Sequence, residues 1–102
     1  MDSVFVQARY VLKKGTRSEF YRKFRDNNIR EFSKSESGNI DYEIYFPLDS
    51  ENDVCFLEKW ESMEAQKNHS NTLHYAILAE LKSKYVEKIQ IEKYRIEPMV
   101  DL

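Results

Sequence analysis

Apolar residues recur at every second position over 4–12. Val4, Val6, Ala8, Tyr10 and Leu12 share one face of an extended chain, with Phe5, Gln7, Arg9 and Val11 on the other. This predicts a strand whose second face is mixed rather than polar, as in a sheet covered on both sides. Lys13-Lys14-Gly15 ends it. Thr16-Arg17-Ser18-Glu19 reads as a capping box, with Thr16 as N-cap and Glu19 three residues on, so a helix is predicted over 16–33. Phe20, Phe24, Asn28 and Phe32 recur at intervals of four and predict its inner stripe, with Tyr21 and Ile29 alongside. Asn28 interrupts that stripe, either as a hydrogen-bonded edge residue or as a polar group turned into a cavity. Arg17, Arg22, Lys23, Arg25 and Arg30 predict a solvated opposite face.

Gly38 marks a turn in the loop over 33–39. Alternation over 40–46 and again over 54–60 predicts two strands, paired antiparallel across the polar loop 49–53, with Pro47 closing the first. Ser62 can cap a following helix. Ser70-Asn71-Thr72 breaks it, and Thr72 caps a further helix over 73–84 with Leu73, Ile77 and Leu81 as its inner stripe and Ala76 beside them. A last strand covers 86–96, and Pro98 begins a tail. The order strand, helix, strand, strand, helix, strand predicts one α+β domain over 1–102. Its arrangement is ferredoxin-like βαββαβ: a four-stranded antiparallel sheet with helices on a single face. The other face is expected to carry Phe5, Val11, Cys55, Leu57, Ile89 and Ile91. Such a patch predicts a homodimer in which two sheets pack together.

Composition narrows the function. The 102 residues carry a net charge of −2, with no basic stripe, which argues against a nucleic-acid partner. A single cysteine, Cys55, excludes an internal disulfide and fits a reducing, cytoplasmic setting. No signal peptide is visible at Met1-Asp2-Ser3, and no apolar run approaches the ~18 residues of a membrane span, so no membrane partner is expected. Aromatic residues make up 14% of the chain, a composition that suits either a ring-filled core or a pocket for a flat ligand. Two glycines in all leave no phosphate-cradling loop.

Candidate chemistry concentrates in 54–69. Val54, Phe56, Glu58 and Trp60 share a strand face, which sets an acid beside a large ring on apolar ground. His69 lies one helical turn beyond Ala65. Glu58, Trp60 and His69 are therefore expected on one wall, with Glu58 as the salt partner or orienter of a histidine. His69 and His74, the only two histidines, form no local ligand motif, and no metal is expected. Each also has a plain structural reading: His69 as a bridge across the helix break, His74 as a packing residue.

Phe56-Leu57-Glu58-Lys59-Trp60-Glu61-Ser62-Met63-Glu64-Ala65, followed by His69 and His74-Tyr75, resembles the antibiotic-biosynthesis monooxygenase superfamily. Glu36-Ser37-Gly38-Asn39-Ile40-Asp41-Tyr42 resembles its E-P-G-x-x-x-Y segment, with Ser37 in place of the usual proline. The resemblance covers nearly the whole chain and implies a dimeric α+β barrel. For many members it also implies oxygenation of a quinol or polyketide phenol by O2, without cofactor, in an apolar pocket that stabilises the substrate anion. On that reading His69 or His74 acts as base and Glu58 supports it, while Trp60, Tyr75, Phe24 and Asn28 bind the substrate. Relatives that degrade haem use an asparagine on the first strand; Ala8 stands there, which speaks against that activity. Other relatives isomerise or process small phosphorylated, autoinducer-type sugars, and a non-catalytic binding or stress-response module is a third alternative.

Overall fold

In the computed structural model, residues 2–99 are described. The elements run β1 (Ser3–Leu12), α1 (Arg17–Asp26), α2 (Ile29–Lys34), β2 (Asn39–Tyr45), β3 (Asp53–Trp60), α3 (Met63–His69), α4 (Leu73–Tyr85) and β4 (Val86–Ile96). The strands form one antiparallel sheet in the order β2-β3-β1-β4. This is the expected ferredoxin-like arrangement, with the first predicted helix split in two at 27–28 and the second broken at 70–72 as expected.

The alternation of β1 holds: Val4, Val6, Ala8, Tyr10 and Leu12 are all buried beneath the helices. They meet Phe20 and Phe24 of α1, Phe56 and Trp60 of β3, and Leu78, Leu81 and Tyr85 of α4 in one core. Rings fill much of it. Phe24 packs edge-on against Phe56 at 5.6 Å and lies parallel to Phe20 at 6.4 Å.

Three expectations about the helices are corrected. Thr16 makes no side-chain cap to α1; its hydroxyl donates to the Lys13 carbonyl at 2.6 Å, so the capping box does not form. The stripe expected at Phe20, Phe24, Asn28 and Phe32 stops after Phe24. Asn28 takes a left-handed conformation at φ 54°, a region that asparagine tolerates better than most residues, and it ends the continuous helix there. The break turns Ile29 and Ser33 inward and leaves Phe32 54% exposed. In α4 the buried stripe is Leu78, Leu81 and Tyr85, while Leu73 is 78% exposed at the first turn. The break at 70–72 falls where expected. Ser62 and Thr72 cap α3 and α4 by accepting from the Ala65 and Tyr75 backbone N–H groups.

The uncovered sheet face also differs. Ile89 and Ile91 pair with Tyr10 and Ala8, so they lie on the helix side and not on the open face. They remain 41% and 51% exposed because the helices stop short of β4. The open face instead presents Phe5, Gln7, Arg9 and Val11 opposite Tyr94, Glu92, Gln90 and Lys88. It is amphipathic rather than apolar. Phe5 stacks on Tyr94 at 6.3 Å, and Arg9 donates to Asp53 at 2.6 Å. Cys55 is on this face but already buried within the chain, between its ladder partners Arg9 and Tyr45.

Candidate functional site

Glu58 lies between Val6 and Tyr42 in the sheet, and its side chain rises toward the helices. Two residues on, Trp60 shares that face and donates its indole N–H to Glu58 Oε1 at 3.0 Å. The strand pattern alone places this pair. Burial holds the Glu58 carboxyl above its usual range; His69, the Trp60 hydrogen bond and Lys93 pull the other way without cancelling it.

The partner of His69 is not Glu58, as expected from sequence, but Glu36. Glu36 sits in the loop after α2, two residues before Gly38. Gly38 has φ +84°, and a Cβ there would come within 2.6 Å of the Ala65 Cβ. Its carbonyl accepts from the Glu61 N–H at 2.8 Å. Glycine thus lets the loop lie directly against the first turn of α3. Glu36 then reaches the end of that helix, where its Oε2 contacts His69 Nδ1 at 2.5 Å and His74 Nε2 at 2.7 Å. All three side chains are largely buried: His69 is 2% exposed, His74 12% and Glu36 13%. His69 also packs on Trp60 at 4.9 Å and on Tyr75 at 5.2 Å, and Phe32 stacks on the outer face of His74 at 5.8 Å.

This cluster is what spacing along the chain missed. The ligand atoms of Glu36, His69 and His74 lie within 4.8 Å of one another, a donor set able to face a metal ion. In this arrangement both rings turn a nitrogen onto the same carboxylate oxygen. A cation there would need those nitrogens free of protons.

A cavity of about 70 Å³ opens between α3, α4 and the sheet. Its walls include Tyr10, Glu58, His69, Tyr75, Lys82 and Lys93, together with Gln66 and Ile91. Burial lowers the pKa of the Lys82 ammonium, with Glu58 opposing the shift, and raises that of the Tyr10 hydroxyl. Lys82 Nζ stands over the Tyr75 ring at 5.2 Å and the Tyr10 ring at 5.8 Å. Among the described residues it forms no salt bridge.

Of the residues singled out from sequence, His69, Glu58 and Tyr75 line this cavity. Trp60 is fully buried behind them and touches it only through Glu58 and His69. His74 is on the far side of Glu36, facing an apolar groove with Phe32, Leu73 and Ile77. Phe24 is sealed in the core at 1% exposure, and Asn28 is exposed at the α1–α2 break; neither reaches the cavity. Lys82, Lys93 and Gln66 were not anticipated. Lysines on a helix and an edge strand read as solvated surface; packing half-buries Lys82, whereas Lys93 stays exposed at the cavity rim.

Comparison with known proteins matches this architecture to one group. The family profile described as Antibiotic biosynthesis monooxygenase matches residues 3–80. The "Putative monooxygenase YcnE" of Bacillus subtilis (strain 168) is 31% identical over 72 residues, which is 71% of this chain and 74% of that one. In fold, the chain superposes on PA3566 from Pseudomonas aeruginosa with a TM-score of 0.85 at 16% identity, covering 96% of this chain and 97% of that one. The "Putative antibiotic biosynthesis monooxygenase from Nitrosomonas europaea" gives a TM-score of 0.83 at 19% identity, covering 91% and 88%. The sheet order, the Glu58–Trp60 strand end and the profile match over most of the chain lead to one conclusion: this protein belongs to the antibiotic biosynthesis monooxygenase family.

Proposed function

We propose that the protein is a cofactor-independent monooxygenase acting on a small quinol or phenol with O2. The observation that carries this reading is a cavity that combines a histidine, two tyrosine rings and a half-buried lysine without a salt-bridge partner among the described residues. In such a reaction the substrate supplies all four electrons: one oxygen atom enters the ring system and the other leaves as water. The step that makes the substrate a reductant is loss of its proton. His69 is the base that takes that proton, and Lys82 stands where the resulting phenolate oxygen can be neutralised. Tyr10 and Tyr75 supply the flat walls.

The cavity's size sets a condition. About 70 Å³ holds a few water molecules, whereas ligand pockets run to roughly 300 Å³ or more. A substrate ring therefore has to displace side chains, and Gln66, Tyr75 and Lys82 are the half-buried ones able to move. On the β4 side the cavity is lined by Ile91 and Lys93, both of them exposed. A partner subunit packed on the open sheet face, as proposed from the sequence, would bring further groups near this edge.

Oxygen uptake in the presence of a panel of quinols tests the reading. Consumption should track product one to one and stop under argon. Turnover that continues without O2 would exclude an oxygenase.

One observation favours a second reading. Lys82 and Lys93 give the cavity two ammonium groups against the single carboxyl of Glu58, a balance that also suits an anionic substrate such as a sugar phosphate. Thermal-shift comparison of quinols with small sugar phosphates separates the two, since whichever class binds the folded state raises Tm with increasing ligand concentration. Stabilisation by neither class would leave a non-catalytic module.

A further inference from the structure

Two imidazoles converge on one oxygen of Glu36, and where that carboxyl is ionised the geometry dictates which ring nitrogens donate. An ionised carboxylate only accepts hydrogen bonds. Each nitrogen that faces it at 2.5 or 2.7 Å must therefore carry a hydrogen: Nδ1 of His69 and Nε2 of His74. For a neutral His69 this leaves Nε2, on the opposite edge of the ring, as a bare lone pair, and His69 is the histidine that lines the cavity. We propose that Glu36 and His74 are positioning residues. Glu36 fixes the His69 tautomer that presents a base to the cavity, and His74, by donating to the same oxygen, anchors Glu36 in place. The idea builds on the cavity being the reactive site, but it concerns the histidine itself and holds for any ligand with an acidic proton.

Several features support the assignment. His69 has no rotational freedom to choose another partner: it is clamped between Trp60, Tyr42 and Tyr75 and is 2% exposed. Gly38 fixes the loop that carries Glu36 against α3. His74 is held in turn by Phe32. The charged and titratable groups facing His69 from the neighbouring elements are Glu36 on its loop, Glu58 on β3, Tyr42 on β2, His74, Tyr75 and Lys82 on α4, Lys93 on β4 and Tyr10 on β1. The step itself is a proton transfer. An O–H bond of the ligand breaks, a His69 Nε2–H bond forms, and the imidazolium charge is met by the Glu36 carboxylate. The transferred proton stays on His69 and does not pass to Glu36. Glu58, already engaged with Trp60, is not the orienting acid.

The test uses the two-histidine content of the chain. Long-range 1H–15N correlation spectra of the intact, 15N-histidine-labelled protein, without substrate and above the histidine titration range, read each tautomer directly. The wild type should show His69 with Nδ1 protonated and Nε2 bare. Glu36→Gln, which can turn an amide N–H toward Nδ1, should populate the opposite tautomer. In the oxygenase assay the same variant should lower kcat on the order of 10²-fold with little change in KM. His74→Leu should loosen Glu36 and broaden or mix the His69 signals, and His74→Gln, which keeps an N–H donor, should restore them. A wild-type His69 bearing its hydrogen on Nε2 would overturn the proposal, as would a Glu36→Gln spectrum unchanged from wild type. Tight Zn2+ binding that disappears in His74→Leu would also overturn it, by making the cluster a metal centre. If no phenol is turned over at all, the function fails while the spectra still decide the tautomer.

Discussion

Single residues carry most of what is chemically distinctive here, and two of them lend themselves to quantitative tests. Glu58 is a carboxyl whose burial raises its pKa in the folded state above the ordinary value of 4.5. A raised carboxyl stabilises the fold only when protonated. That contribution is complete below pH 4.5 and is lost as the pH rises through the folded-state value. Glu58→Gln keeps an acceptor for the Trp60 N–H and removes the charge. Its Tm should exceed that of wild type at pH 7, with the gap closing toward pH 4; a gap that widens in acid would contradict the assignment. Gly38 is the second. Gly38→Ala meets both the φ of +84° and a 2.6 Å approach to Ala65, and should cost about 1–3 kcal/mol in a denaturation experiment. Since the same turn delivers Glu36, loss of activity in this variant should exceed what its stability explains. Glu36 shows where sequence reasoning stopped. It was visible as part of a Glu36-Ser37-Gly38 turn, but 33 residues separate it from His69, and no periodicity links a loop to a helix end. Glu58, two positions from Trp60 on one strand, was legible because strand geometry is strictly two-residue periodic.

Strands and helices are not equally legible in the chain, for physical reasons that differ between them. All four strands appear within a residue or so of the expected bounds, since alternation survives whatever packs against it. The helices kept their positions and lost their details. Thr72 and Thr16 make the contrast plain. Thr72 is extended at ψ 157° and its hydroxyl accepts from the Tyr75 N–H, whereas Thr16 is near-helical at ψ −1° and its hydroxyl bonds backwards to Lys13. The Thr72→Ala variant should therefore lose about 1 kcal/mol. Thr16→Ala should lose less, within roughly 0.5 kcal/mol of wild type, as expected of a surface position without a cap. Equal losses in chemical denaturation would show that the Thr16 cap forms in solution. The same logic explains Asn28. A spacing of four carries a stripe through any residue, yet one left-handed backbone angle rotates everything after it, so Phe32 faces out and Ile29 faces in.

At the scale of the whole molecule the structure is a thin two-layer body of 44 × 30 × 18 Å, with helices on one side of the sheet and, among the described residues, no element covering the other. Phe5, Val11 and Leu57 lie on that open face among Arg9, Gln90 and Glu92, and β4 is exposed on both of its faces. We propose that two copies cover these surfaces together. Sedimentation equilibrium should then give twice the 12.3 kDa chain mass, and Leu57→Asp, at a half-buried position outside the core, should shift the protein to monomer while leaving its circular dichroism intact. A wild-type protein sedimenting at the single-chain mass would refute the dimer. What the sequence alone determined is what depends on local geometry: the strands, the inner faces of β1 and β3, the helix caps at Ser62 and Thr72, the Glu58–Trp60 pair and, through these, the fold class. What only the tertiary structure decided is everything that depends on register and approach. That includes the side of the sheet taken by Ile89 and Ile91, the cavity reached by Lys82 and Lys93, and the carboxylate that meets both histidines. The chain's periodicities fix directions only within an element. Relations between elements arise when packing sets one element's position against another, and no spacing along the sequence encodes that distance.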